Sequence, residues 1–305
     1  MFDENIHRRI IAAGDLNFEV FCAGDPESSR LALCLHGFPE HAHSWRLQMP
    51  LLARLGYRVW APNQRGYGNT RPRPKNRAYY HRDRLLEDVA ALIDASGAKE
   101  VTLIGHDWGG ALAWLFALRA VRPLERLVVM NLPHPARFYE HLMNDRAQQK
   151  RSRYERFFQI PWLPDWLLSR NHASAIGRMF SEGLTRSGAM SETDVRVFRE
   201  NAAARGAMTA MLNWYRANPF REAFAGEFAV LETPTLMIWG VNDIALGQEM
   251  TIGTDEIVQD FTLRYLDASH SVQQDAPEET NAILEAWLTG REVPEFLVPN
   301  SDPAR

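Results

Sequence analysis

The chain has 305 residues, 46% hydrophobic and 24% charged, with a formal net charge of −4. That length allows one large domain or two moderate ones with a full core, and the composition is that of an ordinary globular protein. The acidic balance speaks against a polyanion partner such as nucleic acid, which wants a basic face.

The opening stretch MFDENIHRRII is charged and has no apolar core, so no signal peptide is expected. No run approaches the length of a membrane span, which leaves the cytoplasm as the expected compartment and no membrane partner. Cys22 and Cys34 fall in apolar, strand-like segments and read as buried free thiols. RLALCLHG (30–37) is a short apolar run that ends in Gly37 and reads as a buried strand. SWRLQMPLLARLG then shows helical spacing, with Gly56 as its cap. RVWAPNQRGYG (58–68) is a second strand running into a turn, followed by the arginine-rich RPRPKNR (71–77). That cluster and KRSRYER (150–156) read as solvated surface. YHRDRLLEDVAALIDASG (80–97) is an amphipathic helix closed by glycine. EVTLIGHDWGG gives strand, turn and helix start, and LERLVVMN (124–131) the next strand. From about 138 to 228 the periodicity is helical, with no convincing strand. TPTLMIWG (233–240) and FTLRYLDASH (261–270) restore the strand pattern, PEETNAILEAWL (277–288) is a last helix, and the Pro-rich tail reads as loosely ordered. Strands alternating with helices of this length predict an α/β fold: a mostly parallel central sheet flanked by helices. The helical region predicts an inserted cap, dividing the chain into core (1–137), cap (138–228) and core (229–305).

The chemistry concentrates at GHDWGG (105–110). A reactive side chain on a sharp strand-to-helix bend needs small residues two before and two after it, so that the backbones can approach. Gly105, Gly109 and Gly110 supply them, and the reactive position is Asp107. In this architecture the nucleophile is followed in the chain by an acid and then a histidine, each just past a strand. Asp243 and His270 stand at those places, with Asp267 as a weaker rival acid. One oxyanion donor comes from the loop after an early strand and the other from the residue after the nucleophile, which points to the backbone N–H groups of Phe38, in HGFPE, and Trp108.

A carboxylate at this position selects the reaction. Serine attacking a saturated carbon would form an ether that water does not clear. Aspartate forms an alkyl ester, whose carbonyl a histidine-activated water can attack. The leaving group then needs stabilising. Tyr154 (in RYERFFQIPWLP) and Tyr215 (in NWYRANPF) are neutral donors suited to a basic alkoxide.

HGFPE, RGYGNT (65–70), GHDWGG, NWYR and the acid and histidine positions together resemble the soluble epoxide hydrolases, a group within the α/β-hydrolase fold. The resemblance runs from about residue 8 to 290. It implies a lidded core that hydrolyses an epoxide to a vicinal diol, with Asp107 as nucleophile, His270 as base and Asp243 as orienting acid. It further implies Tyr154 and Tyr215 as paired ring-opening donors, Phe38 and Trp108 at the oxyanion positions, and no metal or organic cofactor. The implied partners are a small apolar epoxide and water, with the chain a monomer or homodimer. Three positions depart from the family pattern: Asn63 stands for a frequent Asp, Glu155 for a Gln after the first tyrosine, and HSVQQD lacks a downstream aromatic residue. A haloalkane dehalogenase shares the fold and the nucleophile, and Trp108 has an indole N–H to offer a halide. That family, however, usually places Asn where this chain has Phe38, and fluoroacetate-type dehalogenases favour Arg where it has Trp108.

Overall fold

The computed structural model describes residues 4–186 and 188–296; the expected loose tail lies largely outside the described residues. Among the described residues eight strands form one sheet: β1 (His7–Ala13), β2 (Leu16–Ala23), β3 (Arg30–Leu35), β4 (Arg58–Pro62), β5 (Glu100–His106), β6 (Arg126–Met130), β7 (Thr235–Gly240) and β8 (Phe261–Leu266). Their spatial order is β1-β2-β4-β3-β5-β6-β7-β8. Pairing is parallel from β4 through β8. It is antiparallel only where β1 and β2 add an edge.

The central strands are apolar at nearly every position because helices cover both faces. Neighbouring residues face opposite ways. Leu33, Leu103 and Val129 enter one core with Trp114, while Cys34, Ile104 and Val128 enter the other with Trp45 and Trp287. Cys34 is fully buried and Cys22 half-buried, and both are free thiols. The strand expected around Cys22 is β2, while β1 and its hairpin pairing are additions to the sequence reading. Its polar outer face (HRRII) hides the alternation, and the signal lies in the Gly14-Asp15 turn, where Gly14 adopts φ 57°.

Helices α1 (Met49–Arg54), α2 (Arg82–Ser96) and α3 (Trp108–Leu118) cross between strands. The helix expected from residue 44 begins only at Met49, after a 3-10 turn over Ala42–Trp45. Among the described residues seven helices lie between β6 and β7: α4 (Pro135–Asn144), α5 (Arg146–Arg151), α6 (Arg153–Phe158), α7 (Leu163–Glu182), α8 (Glu192–Ala203), α9 (Ala207–Ala217) and α10 (Phe220–Ala223). Within α7, Asn171, His172 and Ala173 take left-handed angles, so it is two helical pieces joined at a kink. Two short pieces, α11 (Val272–Asp275) and α12 (Pro277–Leu288), close the chain. Side chains seat the inserted helices on the sheet domain: Asn201 Nδ2 donates to the Glu40 carbonyl at 2.9 Å, and Trp214 Nε1 to that of Arg65 at 3.0 Å. None of the described helices is long and apolar enough to cross a membrane.

The bend between β5 and α3 is where packing is tightest. A Cβ on Gly105 would fall on the Gly109 carbonyl, and one on Gly109 would fall on the Leu35 carbonyl at the end of β3. Backbone, not a movable side chain, blocks both. Gly109→Ala is therefore expected to destabilise the fold by about 3 kcal/mol or more. Gly97→Ala, at the open left-handed end of α2, should cost about 1–2 kcal/mol. Urea denaturation of the two variants measures the difference, and equal effects would refute the close-approach account.

Candidate active site

Asp107 is the single residue between β5 and α3, and its backbone is strained at φ 50°, ψ −122°. The residue stands at the carboxyl end of β5, a central strand of the sheet. Oδ1 accepts the Phe38 backbone N–H at 2.7 Å, from the loop after β3. Trp108 is the first residue of α3, so its N–H has no acceptor within the helix. His270, after β8, brings Nε2 to 3.5 Å from Asp107 Oδ2. Its Nδ1 lies 2.7 Å from Asp243 Oδ2, after β7. Asp243 Oδ1 accepts the N–H groups of Ala245 (2.7 Å) and Leu246 (3.0 Å), which locks the acid to the backbone. Asp267 instead accepts from Asn242 and is half exposed, so the rival acid points away from the histidine. All the site's groups from the sheet sit at carboxyl ends of parallel strands, the usual crevice of open α/β sheets.

Electrostatics follow from this burial. Burial opposes charge on the His270 ring, but Asp243 and Asp107, by charge and hydrogen bonding, hold its pKa well above 6.5. Burial would likewise raise Asp243; the charge and hydrogen bond of His270 outweigh it and lower that carboxyl. Tyr154, on α6, and Tyr215, on α9, have ring centroids 6.0 Å apart and nearly perpendicular planes. Burial first, then the Asp107 charge, push both hydroxyls well above 10. They stay protonated and keep a proton to donate. Tyr215 also packs against Trp108 at 5.2 Å and Phe38 at 5.0 Å. Asp107, His270, Tyr154 and Tyr215 share a cavity of about 280 Å³ otherwise walled mainly by apolar groups such as Phe158, Met179 and Leu184. The structure thus gathers the seven residues expected from sequence around one site. No cluster of three or more metal-ligating side chains occurs among the described residues.

Four supporting residues were not assigned from sequence. Asn131, buried with φ 42° at the end of β6, donates to Asp243 Oδ2 at 2.9 Å and accepts the Gly240 N–H. Glu40 and His106 form a buried pair at 2.9 Å, and His106 reaches the His270 carbonyl at 2.9 Å. Burial opposes the Glu40 charge, yet His106 and the Gly37 N–H hold its pKa at about 2. Glu40 and His106 were in view, inside HGFPE and GHDWGG, but a motif does not say which of its residues face each other. Gln159 carried no signal: its amide joins Glu155 (2.8 Å) to the Tyr215 carbonyl (2.9 Å), linking the two tyrosine helices. Of the three departures, Asn63 serves turn bonding, donating to Glu19 and accepting from Ala42. Gln273 and Gln274, where an aromatic residue was missed, turn to Glu40.

Residues 33–277 match the model of the alpha/beta hydrolase fold family. The chain is 37% identical over 279 residues to human Epoxide hydrolase 4, covering 90% of this chain and 76% of that protein. It belongs to the epoxide hydrolase family. A further family member, Epoxide hydrolase A of Mycobacterium tuberculosis, is 30% identical over 93% of this chain and 98% of its own. The solved Bacillus megaterium epoxide hydrolase, in complex with an inhibitor, superposes with a TM-score of 0.85 at 29% identity, covering 92% of this chain and all of that one.

The His270 shift makes a stability prediction. Its folded pKa lies above the unfolded value of 6.5, so the stabilisation is fully present below pH 6.5 and fades as pH rises through the folded value. Urea denaturation should find the gap between wild type and His270→Gln widest at mildly acidic pH and narrowing with alkali. A gap that widened with pH would contradict the proposed charge state.

Proposed function

We propose that the protein hydrolyses an epoxide to a vicinal diol through a covalent ester on Asp107, with residues 1–137 and 229–305 as the core and 138–228 as the cap. The observation that carries this reading is the pair of protonated tyrosines, Tyr154 and Tyr215, sharing one cavity with the Asp107 carboxylate. Asp107 Oδ1 is tied to Phe38, so Oδ2 is the attacking atom. It displaces the ring oxygen from carbon, and the tyrosine hydroxyls donate to the alkoxide as it forms.

Esterification removes one of the two carboxylates that keep His270 charged. The ring then gives up its proton, which completes the hydroxyl on the opened epoxide oxygen, and the neutral ring becomes the base for water while Asp243 holds its other nitrogen. Water attacks the Asp107 carboxyl carbon. The charge that develops on Oδ1 lies against the Phe38 N–H, with the Trp108 N–H as second donor. The ester bond to Oδ2 breaks, the diol leaves with the former aspartate oxygen, and the solvent oxygen stays in Asp107. The names of the relatives support the epoxide as substrate. A haloalkane reading fits less well, because a halide wants two side-chain N–H donors, and beside the Trp108 indole the Phe38 side chain offers only a ring.

Three outcomes are expected. Tyr154→Phe or Tyr215→Phe alone should slow diol formation by about 10²-fold, and the double variant by about 10⁴-fold, read by single-turnover kinetics on a panel of apolar epoxides. With His270→Gln, intact mass should rise by the mass of one epoxide and stay there. In one turnover in heavy-oxygen water, label should enter the Asp107 peptide and not the diol; label in the first diol would end the covalent proposal.

A further inference from the structure

The arginine cluster after β4 has a place the epoxide chemistry does not use. Arg71, Arg73, Lys75 and Arg205 line one cavity of about 360 Å³, between the loop that follows β4 and the turn that joins α8 to α9. Its remaining walls are Pro74, Gly206, Thr209 and Ala210, so no carboxylate lines it. Among the described residues none of the four cations forms an ion pair with a carboxylate, and the Thr209 hydroxyl is taken by Asp165 at 2.6 Å.

The arginines are held in place by carbonyls. Arg73 donates to Arg205 O at 3.0 Å and to Gly68 O at 2.6 Å, and Arg71 to Gly68 O and Thr70 O. Such bonds orient a guanidinium without neutralising it. The Nε of Arg73 is buried with no partner. Burial, then the nearby Arg71, push the Arg73 pKa down, the direction expected for an uncompensated cation among cations. The fully buried arginines are paired, Arg65 with Asp15 and Asp88 and Arg46 with Asp194; half-buried Arg82 rests on carbonyls as Arg73 does, but without other cations around a shared void.

We propose that this cavity binds a phosphate monoester or free phosphate. Several cations around one void suit an anion with three terminal oxygens better than a single carboxylate. The volume exceeds what one phosphate fills, and Pro74 and Ala210 supply apolar wall for an organic remainder. The site spans the seam between sheet domain and inserted helices, at the opposite end of α9 from Tyr215. An anion there ties the two together and stabilises the folded chain.

The test is thermal unfolding of the whole protein at constant ionic strength, with sodium chloride replaced stepwise by inorganic phosphate or by glycerol 3-phosphate. The midpoint should rise saturably with a phosphate probe and not with chloride. Lys75→Gln/Arg205→Gln, whose side chains make no bond that the fold needs, should keep the midpoint without probe and bind about tenfold or more weakly. Tighter binding of glycerol 3-phosphate identifies an organic ester as ligand; tighter binding of inorganic phosphate identifies the free ion. No rise beyond chloride, or an equal rise in the double variant, overturns the site. The readout does not involve epoxide turnover, so it fails or succeeds independently of the proposed reaction.

Discussion

One imidazole between two buried carboxylates is the interaction on which the rest of the site depends. His270 faces Asp243 on one side and Asp107 on the other. Three ionisable groups with little water around them are stable only as a balanced set, because each unpaired charge would carry a large desolvation cost. Asp243 is fixed by two backbone N–H groups and Asn131. Its negative charge is permanent in a way that the Asp107 charge is not. In the proposed mechanism the charge on His270 therefore follows the chemical state of Asp107, and esterification there would turn the histidine from acid partner to base.

The same charge governs the cap. An ionised Asp107 raises both tyrosine hydroxyls further than burial alone. A proton held more tightly is a weaker acid, so the proposed mechanism divides the charge of one alkoxide oxygen between two donors. Their helices must then keep fixed spacing. Gln159 does this by bonding Glu155 beside one tyrosine and the carbonyl of the other. Glu155 is thereby drawn away from the ring-opening end. Half-buried and raised by desolvation, it disturbs Tyr154 less than a free carboxylate would.

Much of this was legible from sequence because it is written in backbone constraint. Only glycine fits where β3, the elbow and α3 converge, so GHDWGG marks the bend whatever the surroundings. Asp243 and His270 follow from strand ends. What stayed hidden was pairing at a distance. Glu40 meets His106 across 66 residues, and Asn131 meets Asp243 across 112. No local pattern encodes either contact. The kink in α7 was hidden for a different reason: Arg170 to Ala173 are ordinary helix formers or neutral residues, and nothing in their order requires left-handed angles.

The apolar walls of the cavity complete the logic. A charged nucleophile in a pocket lined by Phe158, Met179 and Leu184 is poorly solvated, and each fixed donor facing it acts at low dielectric. Most of that wall gives a polar substrate no partner for the water it would shed; Arg151 is the one arginine or lysine lining it among the described residues. The pocket suits a molecule that is apolar except for one strained oxygen. Apart from Arg151, the polar groups that line the cavity are Asp107, His270, Tyr154 and Tyr215, so in the proposed reaction recognition of the epoxide and its opening use the same atoms. Selectivity among epoxides then rests on the shape of the apolar wall, where residues can change without touching the charge balance at Asp107.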